Sequence, residues 1–323
     1  MIHLAANEKF PKASDIKAAK DLIEKYAHKT PILTSTFFNN LFGGSFFFKC
    51  DNFQKSGSFK FRGATNAVLA ISKEQKDFGV ATHSSGNFGQ ALAMVAKMNG
   101  IKAFIVMPKN APSVKYNATK SYGAEIIQCE PTLEARESTL LDVINKTGAS
   151  FIHPYDDYKI IEGQSSAMME ILDEISDFDN VIAPVGGGGL ISGTILARNY
   201  FAPHINVIGA EPKDADDAYR SWKSNSFVPS VNPQTVCDGL KTSLGKRTLP
   251  IILDGIDQIF TASEENVLSM MKLVWERMKI IVEPSSASTL AAIYENRDYF
   301  INKKTVIIIS GGNVDLDNVP WKK

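Results

Sequence analysis

Cysteine is scarce in this chain of 323 residues: Cys50, Cys129 and Cys237 are odd in number, far apart and without CxxC spacing. That excludes a disulfide framework, argues against a zinc site and fits a reducing, cytoplasmic setting. Net charge is lacking too, since 35 Lys and Arg balance 35 Asp and Glu. Such a balance exerts no pull toward nucleic acid or an acidic membrane surface, and neither is expected as a partner. Long hydrophobic runs are absent. Val306-Ile307-Ile308-Ile309 is strand-sized, far short of the ~20 residues that span a bilayer. Met1 to Lys9 has no basic segment followed by a long apolar run, so no signal peptide is expected. Low-complexity segments and fixed-period repeats are missing as well.

What is present is a globular composition, 44% hydrophobic and 22% charged, which excludes a disordered chain and leaves room for two modest domains or one large one. A helix is predicted from Ser14 or Asp15 to about Tyr26, a strand over 45–50 and a helix over 61–71. Strands at 79–83, 102–108, 124–129 and 149–153 then alternate with helices at 88–98, 114–122 and 133–146. The alternation restarts with helix 163–175, strand 180–185, helix 190–200 and strand 206–210. Residues 213–254 read mostly as loop with short helix. Ser263 caps a helix to Lys279 with an apolar stripe of core type, Pro284 opens another, and 305–309 is a last strand. This is an α/β pattern of mostly parallel sheets flanked by helices. It divides into a small domain, 79–155, inserted in a large one, 1–78 and 156–323. A ligand belongs between them, at the carboxyl ends of strands.

The chemistry centres on Ser56-Gly57-Ser58-Phe59-Lys60-Phe61-Arg62. A free lysine amine titrates near 10.4. Phe59 and Phe61 would desolvate this one, lower its pKa and ready it as a nucleophile for an aldehyde cofactor. The bland alternative is a lysine at a helix start. Val185-Gly186-Gly187-Gly188-Gly189-Leu190 joins a strand to a helix and reads as a phosphate cradle built of backbone N–H groups, or else as a tight turn. Ser84-Ser85-Gly86-Asn87 also lies between strand and helix, where either serine suffices as a cap. Ser310-Gly311-Gly312-Asn313 repeats that pattern after the last strand. In Glu211-Pro212-Lys213-Asp214-Ala215-Asp216-Asp217, separated carboxylates and a carbonyl suit Mg²⁺, Mn²⁺ or Ca²⁺, with a solvated acidic turn as the alternative. His83 and His153 read as satisfied strand-end residues.

Taken together, Ser58-Phe59-Lys60, Ser85-Gly86-Asn87, glycines 186–189 and Ser310-Gly311-Gly312-Asn313 resemble the pyridoxal-phosphate enzymes of the tryptophan-synthase-β type, fold type II. The chain is most similar to their serine racemase and serine/threonine dehydratase branch. That resemblance implies Lys60 as the residue that holds the cofactor covalently and then acts as base on the substrate Cα. Gly186, Gly187, Gly188 and Gly189 would bind the phosphate, Asn87 the ring 3′-oxygen and Ser310 the pyridine nitrogen. Ser85 would serve the opposite face of Cα, and Ser84 and Arg136 would lie near the substrate. Arg136 pairs with a second substrate carboxylate or is an exposed helix charge. The cation site would be Glu211, the Ala215 carbonyl and Asp217. Phe88 stands where relatives carry histidine, and Thr242 where they carry serine. Gln54-Lys55-Ser56 resembles part of an animal nucleotide site, but Tyr155 and its surroundings differ, so ATP is not expected.

The implied activity is α,β-elimination from L-serine or L-threonine to a 2-oxo acid and ammonia, accompanied or replaced by serine racemisation. 3-Hydroxyaspartate enters if Arg136 pairs. Outside this reading stand sulfhydrylase-type β-replacement and a non-catalytic ligand-binding protein. A cytoplasmic homodimer is implied by resemblance alone.

Overall fold

The computed structural model describes residues 10–322, and the expectation for Met1 to Lys9 lies outside them. Helix α1 (Ala13–Ile23) buries Ile16, Ala19 and Ile23, an i, i+3, i+7 stripe. Strand β1 (Ile32–Thr34) and helix α2 (Thr36–Phe42) follow, neither predicted. Then come β2 (Ser45–Cys50), α3 (Lys60–Ala70) and a short α4 (Lys73–Phe78). The first predicted alternation is β3 (Val80–His83), α5 (Asn87–Met98), β4 (Ala103–Pro108), α6 (Ser113–Ser121), β5 (Glu125–Cys129), α7 (Leu133–Thr147) and β6 (Ser150–Phe151). The second is α8 (Tyr158–Glu174), β7 (Asn180–Pro184), α9 (Gly189–Phe201) and β8 (Asn206–Pro212). The chain closes through α10 (Asp217–Ser224), α11 (Thr248–Gly255), β9 (Gln258–Ala262), α12 (Glu264–Met278), α13 (Pro284–Glu295), α14 (Arg297–Phe300) and β10 (Lys304–Ile309).

Strands β3 to β6 form one parallel sheet in the order β5-β4-β3-β6. The other six form a second in the order β1-β2-β10-β7-β8-β9, parallel but for β1 against β2. Strand β10 lies inside this sheet, with Thr305 opposite both Phe46 and Asn180. Its residues 305–309 are all buried, which is why it reads as an unbroken apolar run and does not alternate.

Helix α3 carries the lysine and is held from two sides. Phe61, Ala64, Ala67 and Val68 join the core of the four-stranded sheet, with Leu92, Val95 and Ile105. Gly63 meets α8, where a Cβ on Gly163 would sit 2.6 Å from the Gly63 Cα. That crossing corrects one expectation. Gly163 does not open its helix but lies inside it, and Asp157 caps the true start by accepting from Lys159 N at 2.7 Å.

Candidate active site

Lys60, Ser84, Ser85, Asn87, Gly186–Gly189 and Ser310 all follow the carboxyl end of a strand, where parallel sheets open their ligand crevice. Lys60 is the first residue of α3. The residue keeps some surface, but its amine is enclosed and donates to Pro154 O at 3.0 Å. The ring centroids of Phe59 and Phe88 lie 5.0 and 5.8 Å from Nζ. Burial lowers the amine to about 8, with the Glu283 charge opposing. The second aromatic neighbour is thus Phe88 and not the predicted Phe61, which is fully buried in the α3–α5 core beneath the Lys55 ammonium.

The lysine turn is fastened to the loop after β10. Phe59 N donates to Ser310 O at 2.9 Å, Gly312 N to Gly57 O at 3.0 Å, and Asn313 Nδ2 to Ser56 O at 2.8 Å. Ser56 and Gly57 both adopt positive φ, 58° and 71°, and a Cβ on Gly57 would strike Asn313 Oδ1 at 2.4 Å. Ser310 is 2% exposed, its hydroxyl 3.0 Å from that of Ser286. Ser286 also bonds Gly311 through both O and N.

Ser84 is a helix cap: its Oγ accepts from Gly89 N at 3.1 Å and Gly86 N at 3.4 Å. Ser85 is half-buried, and its hydroxyl bonds no described residue. Asn87 begins α5, its Nδ2 donating to Glu283 Oε1 at 2.7 Å and its Oδ1 accepting from Asn313 Nδ2 at 3.0 Å.

At the glycine run both explanations hold at once. Gly188 has φ +88°, and Cβ atoms on Gly186 and Gly187 would strike Gly239 O at 2.7 Å and the Tyr155 ring at 2.4 Å. The turn therefore requires glycine for space. Yet the N–H groups of residues 186–189, all buried, donate to no described residue. Buried N–H groups are rarely left so unless an anion meets them, here at the N-terminus of α9.

Glu211 and Asp217 are buried together beside this turn, since Pro184 and Ala210 are register partners. Burial, then the Asp217 charge, holds Glu211 well above the usual carboxylate range, although Ala218 N and Tyr219 N donate to it at 3.1 and 2.7 Å. Burial lifts Asp217 to about 6, and no donor meets hydrogen-bond geometry at either of its oxygens. Among the described residues no three His, Cys, Asp or Glu side chains cluster as a metal site, so two carboxylates and the Ala215 carbonyl are the whole predicted set. Arg136 occupies the first turn of α7, within electrostatic reach of His83 and Cys129 at the ends of β3 and β5. Its buried Nε has no acceptor.

Sequence reasoning did not single out several neighbours. Pro154 offers only a backbone carbonyl. Asp156 caps α11 through the N–H groups of Lys246, Arg247 and Thr248, at 3.0, 2.7 and 3.3 Å. Beside them His153, lowered to about 4 by burial, accepts from Asp156 N at 2.8 Å, which bears out its reading as satisfied. Glu283 and Lys115 look like surface charges in the sequence but are 2% and 5% exposed. The one available signal was Glu283 before Pro284 at a helix start.

A lysine poised near neutrality calls for an electrophilic carbonyl, and unsatisfied glycine N–H groups call for an anion. Pyridoxal phosphate carries both. The fold and site thus define a fold-type II pyridoxal-phosphate enzyme. A family model described as pyridoxal-phosphate dependent enzyme matches residues 23–311. Serine racemase of Dictyostelium discoideum is 48% identical over 309 residues, 94% of this chain and 95% of that protein. The beta-hydroxyaspartate dehydratase of Paracoccus denitrificans is 44% identical over 311 residues, 96% of this chain and 99% of that protein. The structure of maize serine racemase superimposes with a TM-score of 0.94 at 39% identity and covers 97% of each chain. The chain belongs to the pyridoxal-phosphate dependent enzyme family.

Proposed function

We propose that the protein is an ammonia-lyase for small 3-hydroxy amino acids, L-serine and L-threonine, with serine racemisation as an accompanying activity. The observation that carries this is the enclosed Lys60 amine, lowered to about 8 between two aromatic rings. Gly186–Gly189 would hold the cofactor phosphate, Asn87 the ring oxygen, Ser310 the ring nitrogen and Lys60 the aldehyde carbon. When bound, the cofactor supplies an electron sink for the pair left at Cα. Lys60 Nζ, once free, would take the Cα proton and pass it to the β-hydroxyl, whose C–O bond breaks so that it leaves as water. The enamine so released hydrolyses to a 2-oxo acid and ammonia. Ser310 brings a hydroxyl and no carboxylate to the ring nitrogen, which favours prompt loss of the β-hydroxyl over prolonged charge storage. Ser85, whose hydroxyl bonds no described residue, would return a proton to the other face of Cα, which inverts serine.

A second reading rests on Arg136. Its unsatisfied buried Nε favours a substrate with a second carboxylate, 3-hydroxyaspartate. The bare Asp217 oxygens beside Glu211 support a structural Mg²⁺, Mn²⁺ or Ca²⁺. We also take the enzyme as a cytoplasmic homodimer, on family resemblance. The four-stranded sheet supports an inserted small domain at 79–155 within a large domain, 1–78 and 156–323.

One experiment tests the reading. The enzyme is incubated with L-serine, L-threonine and L-threo-3-hydroxyaspartate, with and without chelator and with no thiol present. Release of 2-oxo acid and formation of D-serine are followed together. Lys60→Ala lowers both by about 10²–10⁴-fold. Ser85→Ala abolishes D-serine formation while α-proton removal from L-serine persists. Equal loss of both removes the two-face assignment. Product that appears only after a thiol is added establishes β-replacement instead, and protein that stays colourless with added cofactor establishes a binding protein.

A further inference from the structure

Glu283 sits at the N-cap of α13, wedged between the residues that the proposed function assigns to opposite sides of the cofactor ring. On one side its Oε1 accepts from Asn87 Nδ2 at 2.7 Å. On the other the same carboxyl packs on Gly311, next to Ser310, where a Cβ would lie 2.7 Å from Oε1. Its Oε2 is buried and has no partner. A buried carboxylate oxygen without a donor is costly, and at a site built for a charged ligand it marks a functional group.

The amide chain through this carboxyl has one orientation. Asn313 Nδ2 gives one N–H to Ser56 O and the other to Asn87 Oδ1, so both of its donors are used. Asn87 must then turn its Nδ2 toward Glu283, which takes one of the two N–H groups and leaves the other for the site. A side chain that could only donate at position 283 would oppose this order.

We infer that Glu283 is a positioning residue with two separable duties: it fixes the Asn87 amide so that one N–H faces the cofactor ring oxygen, and it supplies the negative charge that keeps Lys60 protonatable near neutral pH. The inference rests on the functional reading above. Four charged groups bear on it. Glu283 itself is raised to about 7 by burial, held down by Lys115 of α6 and pushed up by Asp238 of the turn before Lys241; its N–H donates to Gly311 O at 3.1 Å while Phe59 N, next to Lys60, donates to the adjacent Ser310 O at 2.9 Å, so one segment carries both groups and the Glu283 charge bears on Lys60. The Asn87 amide eases its charge. Glu283 and Lys60 therefore titrate as a linked pair.

Two substitutions divide the duties. Gln at 283 still offers an oxygen to Asn87 but no charge. Asp keeps the charge but withdraws it by one methylene from Asn87. The experiment measures, on the reconstituted holoenzymes, the pH dependence of kcat for L-serine, the pH titration of the bound-cofactor absorbance and the dissociation constant of pyridoxal phosphate. Glu283→Gln shifts the Lys60-dependent limb to lower pH by about half a unit or more, with cofactor affinity retained. Glu283→Asp leaves the limb in place and weakens cofactor binding by about threefold to tenfold, the worth of one hydrogen bond. A Gln variant with an unmoved limb, or an Asp variant with parental cofactor affinity, overturns the inference. A uniform loss of activity at all pH values with no spectral shift does so as well. A parent protein that takes up no cofactor instead overturns the functional reading, and this inference falls with it.

Discussion

Phe88 shows how much of a residue's role depends on what it faces. From the sequence, by family resemblance alone, it marks a lost polar contact. In the fold it closes the second side of an aromatic slot around the Lys60 amine, 5.8 Å from Nζ and 2% exposed itself. Desolvation is the largest influence on that amine and lowers it to about 8. The freed lysine acts as base only when deprotonated, so turnover should rise with pH through about 8. Phe88→His puts a polar ring and its water against Nζ. The lysine then moves back toward its ordinary value, and the rising limb of kcat shifts to higher pH, opposite in sign to the Glu283→Gln shift. A pH–rate profile for L-serine checks this, and a limb that stays put shows that Phe88 does not desolvate Lys60. The glycine run, Ser85 and Lys60 were legible in the sequence because their residue types are unusual between strand and helix. Phe88, Glu283 and Lys115 were not, because nothing local in a sequence tells a buried charge from a solvated one, or which ring of a pair faces an amine.

Helix α3 has to present Lys60 at its first position, and two residues on it buries Arg62 completely. The guanidinium bonds Asp51 through Nε at 2.7 Å and Nη2 at 2.8 Å, and Glu170 through Nη1 at 2.6 Å and Nη2 at 2.9 Å. Lys49 Nζ meets Glu170 at 2.6 Å and Thr30 O at 2.7 Å. Two cations and two anions thus balance in the interior and bolt α3 to β2 and α8. Removing one cation leaves a buried anion uncompensated, so Arg62→Met should cost about 3–5 kcal/mol. The pH dependence has a definite sign. Burial alone would raise Asp51, but the Arg62 guanidinium outweighs it and holds the carboxyl below its usual range. Its contribution is present above the unfolded value, near 3.9, and is lost as pH falls through the folded one. In the variant that advantage is gone, so the gap in stability to the parent narrows as acid neutralises the orphaned carboxylates. Denaturant melts at neutral and acid pH read both effects, and a gap that is constant with pH rules the account out. Elements with strong periodicity, such as α5 and α7, and the unbroken apolar run of β10 were legible in outline. Others were not: β9 is a half-buried edge strand with little apolar alternation, and the start of α8 was hidden by a glycine that serves a helix crossing.

Lys115 is one of the side chains that reach from one layer to the other. It rides on α6, over the four-stranded sheet, and is 5% exposed. Its ammonium pairs with Asp238, in the short turn Asp238–Leu240 that belongs with the six-stranded sheet. That turn is pinned to α13 by Gly239 N donating to Ser285 Oγ at 3.2 Å, and its Gly239 carbonyl limits the space at Gly186. One ion pair therefore ties a helix of one layer to the wall of the glycine turn in the other. Burial lowers the Lys115 amine, but Asp238 and Glu283 outweigh it and leave it raised. A raised lysine keeps its stabilising charge below its unfolded value, near 10.4, and loses it only in stronger alkali, so the tie is constant across neutral pH. Lys115→Met should then act on how the layers hold a substrate and, by loosening its hold on the Glu283 charge, on the pH limb set by Lys60. Its cost to stability is smaller than that of Arg62→Met, because the Asp238 side chain is 40% exposed and regains water. KM for L-serine should rise about tenfold, equivalent to ~1.4 kcal/mol, while kcat stays within about threefold. Steady-state kinetics decide the matter: a variant whose kcat falls and whose KM holds would place Lys115 in the reaction itself and not in the closure of the two layers around it.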